Sequence, residues 1–169
     1  MSNRKTKISI LFIVLIFAFL SILLVKDTFF CVDKKMEISY YDFTVDFTTT
    51  TLKVGMAFNL EEINETLKNH SPANEKRAYE IYSYEDFIVE AVFSNKTGEY
   101  IIGSLTLISP KYTTHRGIKI GDTVADVFEK YGEKEQDEDG TISYLYDRKH
   151  IYFRIDNNGI VTGISLDML

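Results

Sequence analysis

Three histidines carry the side chain best suited to acid–base catalysis near neutral pH. His70 lies in a polar segment, His115 lies in the connection before Gly117, and His150 begins an apolar stretch. A serine or cysteine nucleophile needs such a base within hydrogen-bond distance, and none of these histidines belongs to a catalytic motif. We therefore expect solvated polar residues at all three positions.

The acidic run 133–139 imitates part of a calcium-binding loop. The residues that match positions 1, 3, 5 and 6 of such a loop are Glu135, Asp137, Asp139 and Gly140. Position 12, where calcium loops have a bidentate glutamate, is Tyr146. The run therefore predicts a solvated loop after a helix and no metal site.

The remaining chemistry-bearing residues do not form catalytic pairs. Glu61-Glu62 and Glu85-Asp86 are adjacent in sequence, and adjacent residues point to different faces of a helix or strand. Cys31 is the only cysteine, so it has no partner for an internal disulfide or a structural zinc site. We find no phosphate-binding glycine loop, HExxH or CxxC, and expect no catalytic residue, no cofactor and no metal.

The composition predicts a folded protein and disfavours nucleic acid as a partner. The 169 residues are 45% hydrophobic and 26% charged, with two prolines, and offer room for one ordinary domain or two very small ones. Residues 36–169 contain 13 basic and 23 acidic residues, a net charge of −10. Such a domain repels phosphate backbones, which bind mainly to Lys and Arg.

Residues 8–25 form a run of 18 residues without a charge. At about 1.5 Å per residue a helix over this run nearly spans a bilayer core, so we predict a transmembrane helix in contact with lipid. A cleaved secretory signal is the alternative, but no small-residue cleavage site follows Val25. Basic residues flank both ends almost equally, and we favour a cytoplasmic tail at 1–7 with the C-terminal domain outside a bacterial cell membrane.

The segment 26–51 is predicted to be a juxtamembrane stalk that includes a possible extra strand. Val45 and Phe47 alternate there with Asp46 and a threonine, as in a strand with one apolar face. Cys31 follows Phe29 and Phe30, which do not fit the small residues of a lipoprotein acylation site.

An internal repeat organises the rest of the chain. LKVG at 52–55 recurs as IKIG at 118–121, and each is followed by a predicted helix start. In the first copy Asn59 is the expected N-cap, with Glu62 completing a capping box. In the second copy Asp122 or Thr123 caps the helix, and Gly132 ends it.

Each predicted helix is followed by three alternating stretches that are typical of an antiparallel meander. The predicted strands are 80–84, 87–93 and 100–108 in the first copy, and 142–146, 150–155 and 160–166 in the second. Asn95–Gly98 and Asn157–Gly159 are the predicted hairpin turns. The fold class that we predict is α+β: two tandem helix-plus-antiparallel-meander repeats at 52–108 and 118–169, joined by a linker at 109–117.

A resemblance follows from RGIKIGDTVADVFEKYG at 116–132 and VTGISL at 161–166. This pattern resembles the tandem-repeat domains of the β-lactamase inhibitory protein-like superfamily, which includes small outer-membrane assembly lipoproteins. The resemblance implies repeats with a helical portion packed on an antiparallel sheet. It also implies an exported or membrane-attached protein that binds other proteins and is not an enzyme.

The surface of the predicted sheet is the remaining candidate for function. Alternation places His150, Tyr152 and Arg154 on one side of a strand, and Glu90 lies on the corresponding side of another. Since Tyr and Arg are enriched at binding hot spots, these four residues predict a protein-binding or envelope-assembly surface. An envelope hydrolase with a site built from scattered Asp, Glu and His, and a small-ligand sensor, are the alternatives.

Overall fold

The main element of the computed structural model is a seven-stranded antiparallel sheet. The structure describes residues 37–47, 50–63, 67–70 and 78–168. The strands of this sheet are β3 (Leu67–His70), β4 (Tyr79–Tyr84), β5 (Phe87–Ser94), β6 (Glu99–Leu107), β7 (Thr141–Tyr146), β8 (Lys149–Ile155) and β9 (Val161–Met168). A separate two-stranded sheet pairs β1 (Thr44–Asp46) with β2 (Thr51–Lys53). The helical elements are two 3-10 helices (Tyr40–Phe43 and Leu60–Glu62) and α1 (Val124–Tyr131).

The sheet is made of two meanders that meet through their last strands. Its strand order is β3-β4-β5-β6-β9-β8-β7, so the antiparallel pair β6–β9 lies between the two meanders. In this pair Leu105 lies opposite Leu166 and Ser104 lies opposite Asp167. The six strands from β4 to β9 match the six that the sequence predicts, to within two residues at each end.

One side of the sheet carries the hydrophobic core. The side chains of Phe87, Leu105, Ile151, Phe153 and Leu166 alternate with half-buried ones and have at most 1% of their surface exposed. This period of two places the apolar residues of each strand on the same face. The core therefore extends across both meanders instead of forming two separate cores.

Two elements cover this apolar face. Tyr131 of α1 lies 5.0 Å from Phe153 between ring centres, which places the helix over β8. Phe47, just after β1, lies 4.3 Å from Phe87, so the segment after β1 covers β5. Phe43 and Val45 are fully buried, and the segment 43–47 thus contributes to the core.

Local sequence accounts for α1. The side chain of Thr123 accepts a hydrogen bond from the backbone of Asp126, whose carboxylate accepts one from the backbone of Thr123. This capping box satisfies two backbone donors of the first turn. Gly132, with φ of 88°, ends the helix where a residue with a side chain is disfavoured. The second predicted helix start and its stop are confirmed.

The repeat is visible in how the two glycine motifs pair with the meanders. The N–H of Gly55 donates to the carbonyl of Ile102 (2.7 Å), and the N–H of Gly121 donates to the carbonyl of Val161 (2.9 Å). Both glycines have positive φ, 90° and 96°. Two residues after each glycine the chain forms an isolated bridge to the residue that precedes this acceptor: Ala57 pairs with Ile101, and Thr123 pairs with Ile160. This correspondence is the structural counterpart of LKVG and IKIG.

The first copy does not form the predicted helix. Asn59 accepts a hydrogen bond from the N–H of Glu61, but the turn that it caps is only the 3-10 helix Leu60–Glu62, and Leu67–His70 is a strand. Where α1 has Thr123 and Asp126, the equivalent positions hold Ala57 and Leu60. The first copy therefore lacks the side chains of a capping box at that place.

The predicted α+β fold class is therefore wrong. The described chain is mostly β, with a seven-stranded sheet, a two-stranded sheet and a single α-helix among the residues that the structure describes. Two helix-plus-meander repeats are absent from this part of the chain, because the helical half of the pattern is realised only in the second copy.

The predicted membrane location also requires correction. Residues 8–25, for which the transmembrane helix is predicted, lie outside the described residues. In the described part of the chain α1 has eight residues, and no helix there has the length and apolar character needed to cross a bilayer. The assignment as a single-pass, signal-anchored cell-membrane protein with its C-terminal domain outside is thus not supported by the described residues and is withdrawn.

Candidate binding face of the sheet

The candidate site is the sheet face opposite the core, which we call the open face. Its side chains alternate with the buried ones along each strand, and cross-strand pairing groups them into rows. One row runs through Ile81, Glu90, Ser104, Asp167, His150 and Leu145, and the next runs through Ser83, Ile88, Thr106, Ser165, Tyr152 and Ser143. Arg154 lies beside them, opposite Gly163 and Thr141.

The structure places all four predicted site residues on this face but does not bring all four together. His150, Tyr152 and Arg154 follow one another at every second position of β8. Glu90 is on β5, and strands β6 and β9 lie between it and β8. With about 4.8 Å between neighbouring strands, Glu90 lies some 14 Å from the row on β8.

A hydrogen-bonded group fills the space between Glu90 and His150. The hydroxyl of Ser104 donates to Oδ1 of Asp167 over 2.7 Å, and the hydroxyl of Ser165 donates to the same oxygen over 2.8 Å. Thr106 and Ser165 share a further hydrogen bond of 3.1 Å between their hydroxyls. These four residues, the β6–β9 polar group, join the two meanders across their shared strands.

His150 and Tyr152 form an aromatic pair beside this group. Their rings are stacked, with centres 5.3 Å apart and an angle of 10° between the planes. Burial, followed by the negative charge of Asp167, raises the pKa of the Tyr152 hydroxyl. Nδ1 of His150 is buried and has no hydrogen-bond partner among the described residues. A buried nitrogen without a partner is energetically unfavourable.

Serine, histidine and aspartate thus meet on the open face, although not as a nucleophilic relay. In such a relay the histidine lies between the serine hydroxyl and the carboxylate. Here both serine hydroxyls donate directly to Asp167, and His150 Nδ1 accepts from neither. In the described residues, no three His, Cys, Asp or Glu side chains lie close enough together to hold a metal ion.

The other candidates from the sequence lie elsewhere. His115 is exposed in the connection before Gly117, with its ring centre 6.1 Å from that of Tyr41. In the acidic run, the carboxylate of Asp137 accepts hydrogen bonds from the N–H groups of Asp139 and Thr141. The run is thus an exposed loop that binds its own backbone and the start of β7.

Sequence reasoning missed the β6–β9 polar group. Ser104 and Thr106 alternate with Leu105 and Leu107, as in a strand with one solvated face. The sequence therefore predicts which face of the sheet their side chains occupy. The sequence does not predict their hydrogen-bond partners on β9, because these contacts depend on the pairing and register of β6 and β9. Hydroxyl residues and an acid at alternating positions of two candidate strands are the pattern that points to such a group.

Comparison with known proteins gives two similar solved structures of low identity. A crystal structure of a DUF4309 family protein (YjgB) from Bacillus subtilis subsp. subtilis str. 168 matches at 13% identity with a TM-score of 0.44, covering 80% of this chain and 95% of that one. An extracellular protein containing a SCP domain from Bacillus anthracis str. Ames matches at 12% identity with a TM-score of 0.41, covering 80% of this chain and 49% of that one. No family model and no curated protein matches the chain. Neither structure supports the predicted likeness to the β-lactamase inhibitory protein-like superfamily.

Proposed function

We propose that this chain is a binding module without enzymatic activity, and that its open face binds a partner protein. The observation that carries the proposal is the continuity of this face across both meanders. It combines a polar centre, the β6–β9 polar group, with the aromatic pair His150–Tyr152 and the charged side chain of Arg154.

Apolar side chains at both ends of the face support a protein as the partner. Ile81 on β4 has 44% of its surface exposed, and Leu145 on β7 has 56% exposed. Both belong to the row that contains Glu90 and Asp167. Exposed apolar residues combined with Tyr and Arg are typical of protein interfaces, whereas the net charge of −10 in residues 36–169 disfavours nucleic acid.

The test begins with a photoreactive phenylalanine analogue placed at Tyr152 of the full chain. Thr113, which is exposed in the connection after β6, receives the same analogue as the matched control. We expect the Tyr152 position to crosslink to a defined protein and the Thr113 position not to do so. Mass spectrometry of the adduct identifies both the partner and the point of contact.

Binding of the purified partner then measures the contribution of each residue. Tyr152→Ala and Arg154→Ala are expected to raise Kd about tenfold each, the effect of losing a hot-spot side chain. Lys96→Ala in the β5–β6 turn is the matched control for charge and is expected to change Kd less than twofold. Equal affinity for all variants, or crosslinks at Thr113 alone, contradicts the use of the open face.

A further variant, His150→Gln, and a screen of small ligands separate this proposal from the alternatives. A hydrolase that uses His150 and Asp167 loses turnover in His150→Gln without losing affinity for its substrate. A small-ligand sensor shows a rise in Tm with a low-molecular-weight ligand and no crosslinked protein. Either result overturns the proposed function.

A further inference from the structure

A second cluster, which we call the Tyr40 cluster, lies at the first 3-10 helix and consists of Tyr40, Tyr41, Lys53 and Lys149. The ammonium nitrogen of Lys53 lies 2.8 Å from the centre of the Tyr40 ring, and that of Lys149 lies 5.3 Å from the same centre. Tyr41 lies beside them, with its ring centre 5.4 Å from the Lys53 nitrogen. Three separate parts of the chain, residues 40–41, β2 and β8, thus bring two positive charges to one aromatic ring.

Lys149 is the unusual member of the cluster. Only 9% of its surface is exposed, and its side chain passes over Gly55, where an added methyl group would lie 3.8 Å from Cε. Lysine is almost never buried unless its charge has a partner. The face of an aromatic ring provides part of that compensation through a cation–π interaction.

Among the described residues, neither lysine has a carboxylate partner. The ion pairs of the described residues involve Lys111, Arg116 and Lys130, and no carboxylate of that part of the chain pairs with Lys53 or Lys149. Because the two ammonium groups approach the same ring, they repel each other. An anion that contacts both would remove this repulsion and accept charge-assisted hydrogen bonds from the two ammonium groups.

We propose that the Tyr40 cluster is a binding site for an oxyanion of the phosphate or carboxylate type, held between Lys53 and Lys149. The residues 36–169 carry a net charge of −10, so anions are repelled by most of their surface. Two ammonium groups without an ion pair to any described carboxylate form a local exception. The exposed rings of Tyr40 and Tyr41, 48% and 64% exposed, leave the cluster open to a ligand. This site goes beyond the proposed binding face and does not depend on it.

Titration of the full chain with inorganic phosphate, followed by NMR of the backbone amides, tests the site. We expect saturable shifts of the Tyr40, Lys53 and Lys149 resonances, with sodium chloride at equal ionic strength causing none. Acetate in a parallel titration distinguishes the two kinds of oxyanion. Saturation with phosphate alone assigns the site to phosphate groups, and saturation with both assigns it to oxyanions in general.

Two charge-removing variants make the proposal falsifiable. Lys149→Met and Lys53→Met are each expected to weaken phosphate binding about tenfold, as expected for loss of a charge-assisted hydrogen bond. Lys96→Met, in the exposed β5–β6 turn, is the matched control and should bind as the unmodified chain does. Lys53 is half-buried, so Lys53→Met serves if Lys149→Met does not fold. Phosphate shifts equal to those of chloride, or equal binding by all three variants, overturn the proposal.

Discussion

Asp42 and Arg116, 74 residues apart in the sequence, form a two-point ion pair. Nη2 of Arg116 donates to Oδ2 of Asp42 over 2.7 Å, and Nε donates to Oδ1. The same guanidinium donates to the carbonyls of Lys130 (2.7 Å) and Glu37 (2.9 Å). Asp42 is fully buried. The pair therefore fastens the first 3-10 helix to the C-terminal turn of α1.

We predict that Asp42→Ala lowers the free energy of unfolding by about 3–5 kcal/mol, because it leaves the Arg116 charge without its partner. Urea denaturation followed by circular dichroism measures the loss. Asp139→Ala, in the exposed acidic loop, is the control and should change stability little. A small effect of Asp42→Ala would show that Arg116 finds another partner or water.

The same pair predicts how stability depends on pH. Burial raises the pKa of Asp42, but hydrogen bonds from Arg116 and Ser39 and the charge of Arg116 outweigh it, so the pKa lies below the ordinary 3.8. Stability from a carboxylate with a lowered pKa is fully present above its unfolded pKa and is lost as the pH falls through the folded one. We expect the free energy of unfolding to fall with acid below about pH 4–5. Asp42→Asn should flatten this limb, and an unchanged acid limb would contradict the assignment.

Two buried tyrosines predict opposite effects of removing a hydroxyl. The hydroxyl of Tyr84 is buried without a hydrogen-bond partner in the described part of the chain, whereas that of Tyr144 donates to the carbonyl of Gly132 over 2.5 Å. Burial raises the pKa of each to about 12. Tyr84→Phe should leave stability unchanged or raise it by up to about 1 kcal/mol, and Tyr144→Phe should lower it by about 1 kcal/mol. Thermal unfolding of the two variants measures this, and a large loss in Tyr84→Phe would reveal an unseen partner.

Most strands could be predicted from the sequence, because each carries its own evidence. Alternation in β8 and glycine turns such as Asn157–Gly159 are local signals. In the first copy the spacing of Leu60, Ile63 and Leu67 also favours a helix, but a short turn followed by a strand accommodates the same spacing. Tertiary pairing of β3 with β4 prevailed over that weak helical period.

The candidate site was only half predictable for a related reason. The directions of Glu90, His150, Tyr152 and Arg154 follow from alternation, but distances across the sheet depend on strand order. A sequence match between the last strands of the two copies pairs Gly103 with Gly163, whereas hydrogen bonding makes Ile102 equivalent to Val161. The repeat in the last strand is therefore offset by one residue from the sequence match.

Gly103 provides a prediction that depends on this packing. A methyl group at Gly103 would collide with Cγ2 of Val92 on the neighbouring strand. Gly103→Ala should therefore lower the free energy of unfolding by about 1–3 kcal/mol. Gly163→Ala is the matched control, because its methyl group would lie at an ordinary 3.7 Å from Cβ of Arg154.

A second substitution tests whether that collision is the cause. Combining Gly103→Ala with Val92→Ala removes the colliding carbon, so the double variant should lose less stability than the sum of the single ones. Additive losses, measured by urea denaturation, would show that the backbone of β6 rather than Val92 resists the methyl group.

The strand that unites the two halves of the sheet, β9, follows all the other described strands in chain order. Contacts between β6 and β9 join residues about 60 positions apart, as Ser104 and Asp167 are 63 apart. Loops of that length close slowly, and contacts of long sequence separation slow folding. Each hairpin can form early, because its two strands are neighbours in sequence. Until β9 pairs with β6, however, β6 is an unpaired edge strand of the first meander and can associate with other molecules. Refolding yield should consequently depend on protein concentration more than native stability does.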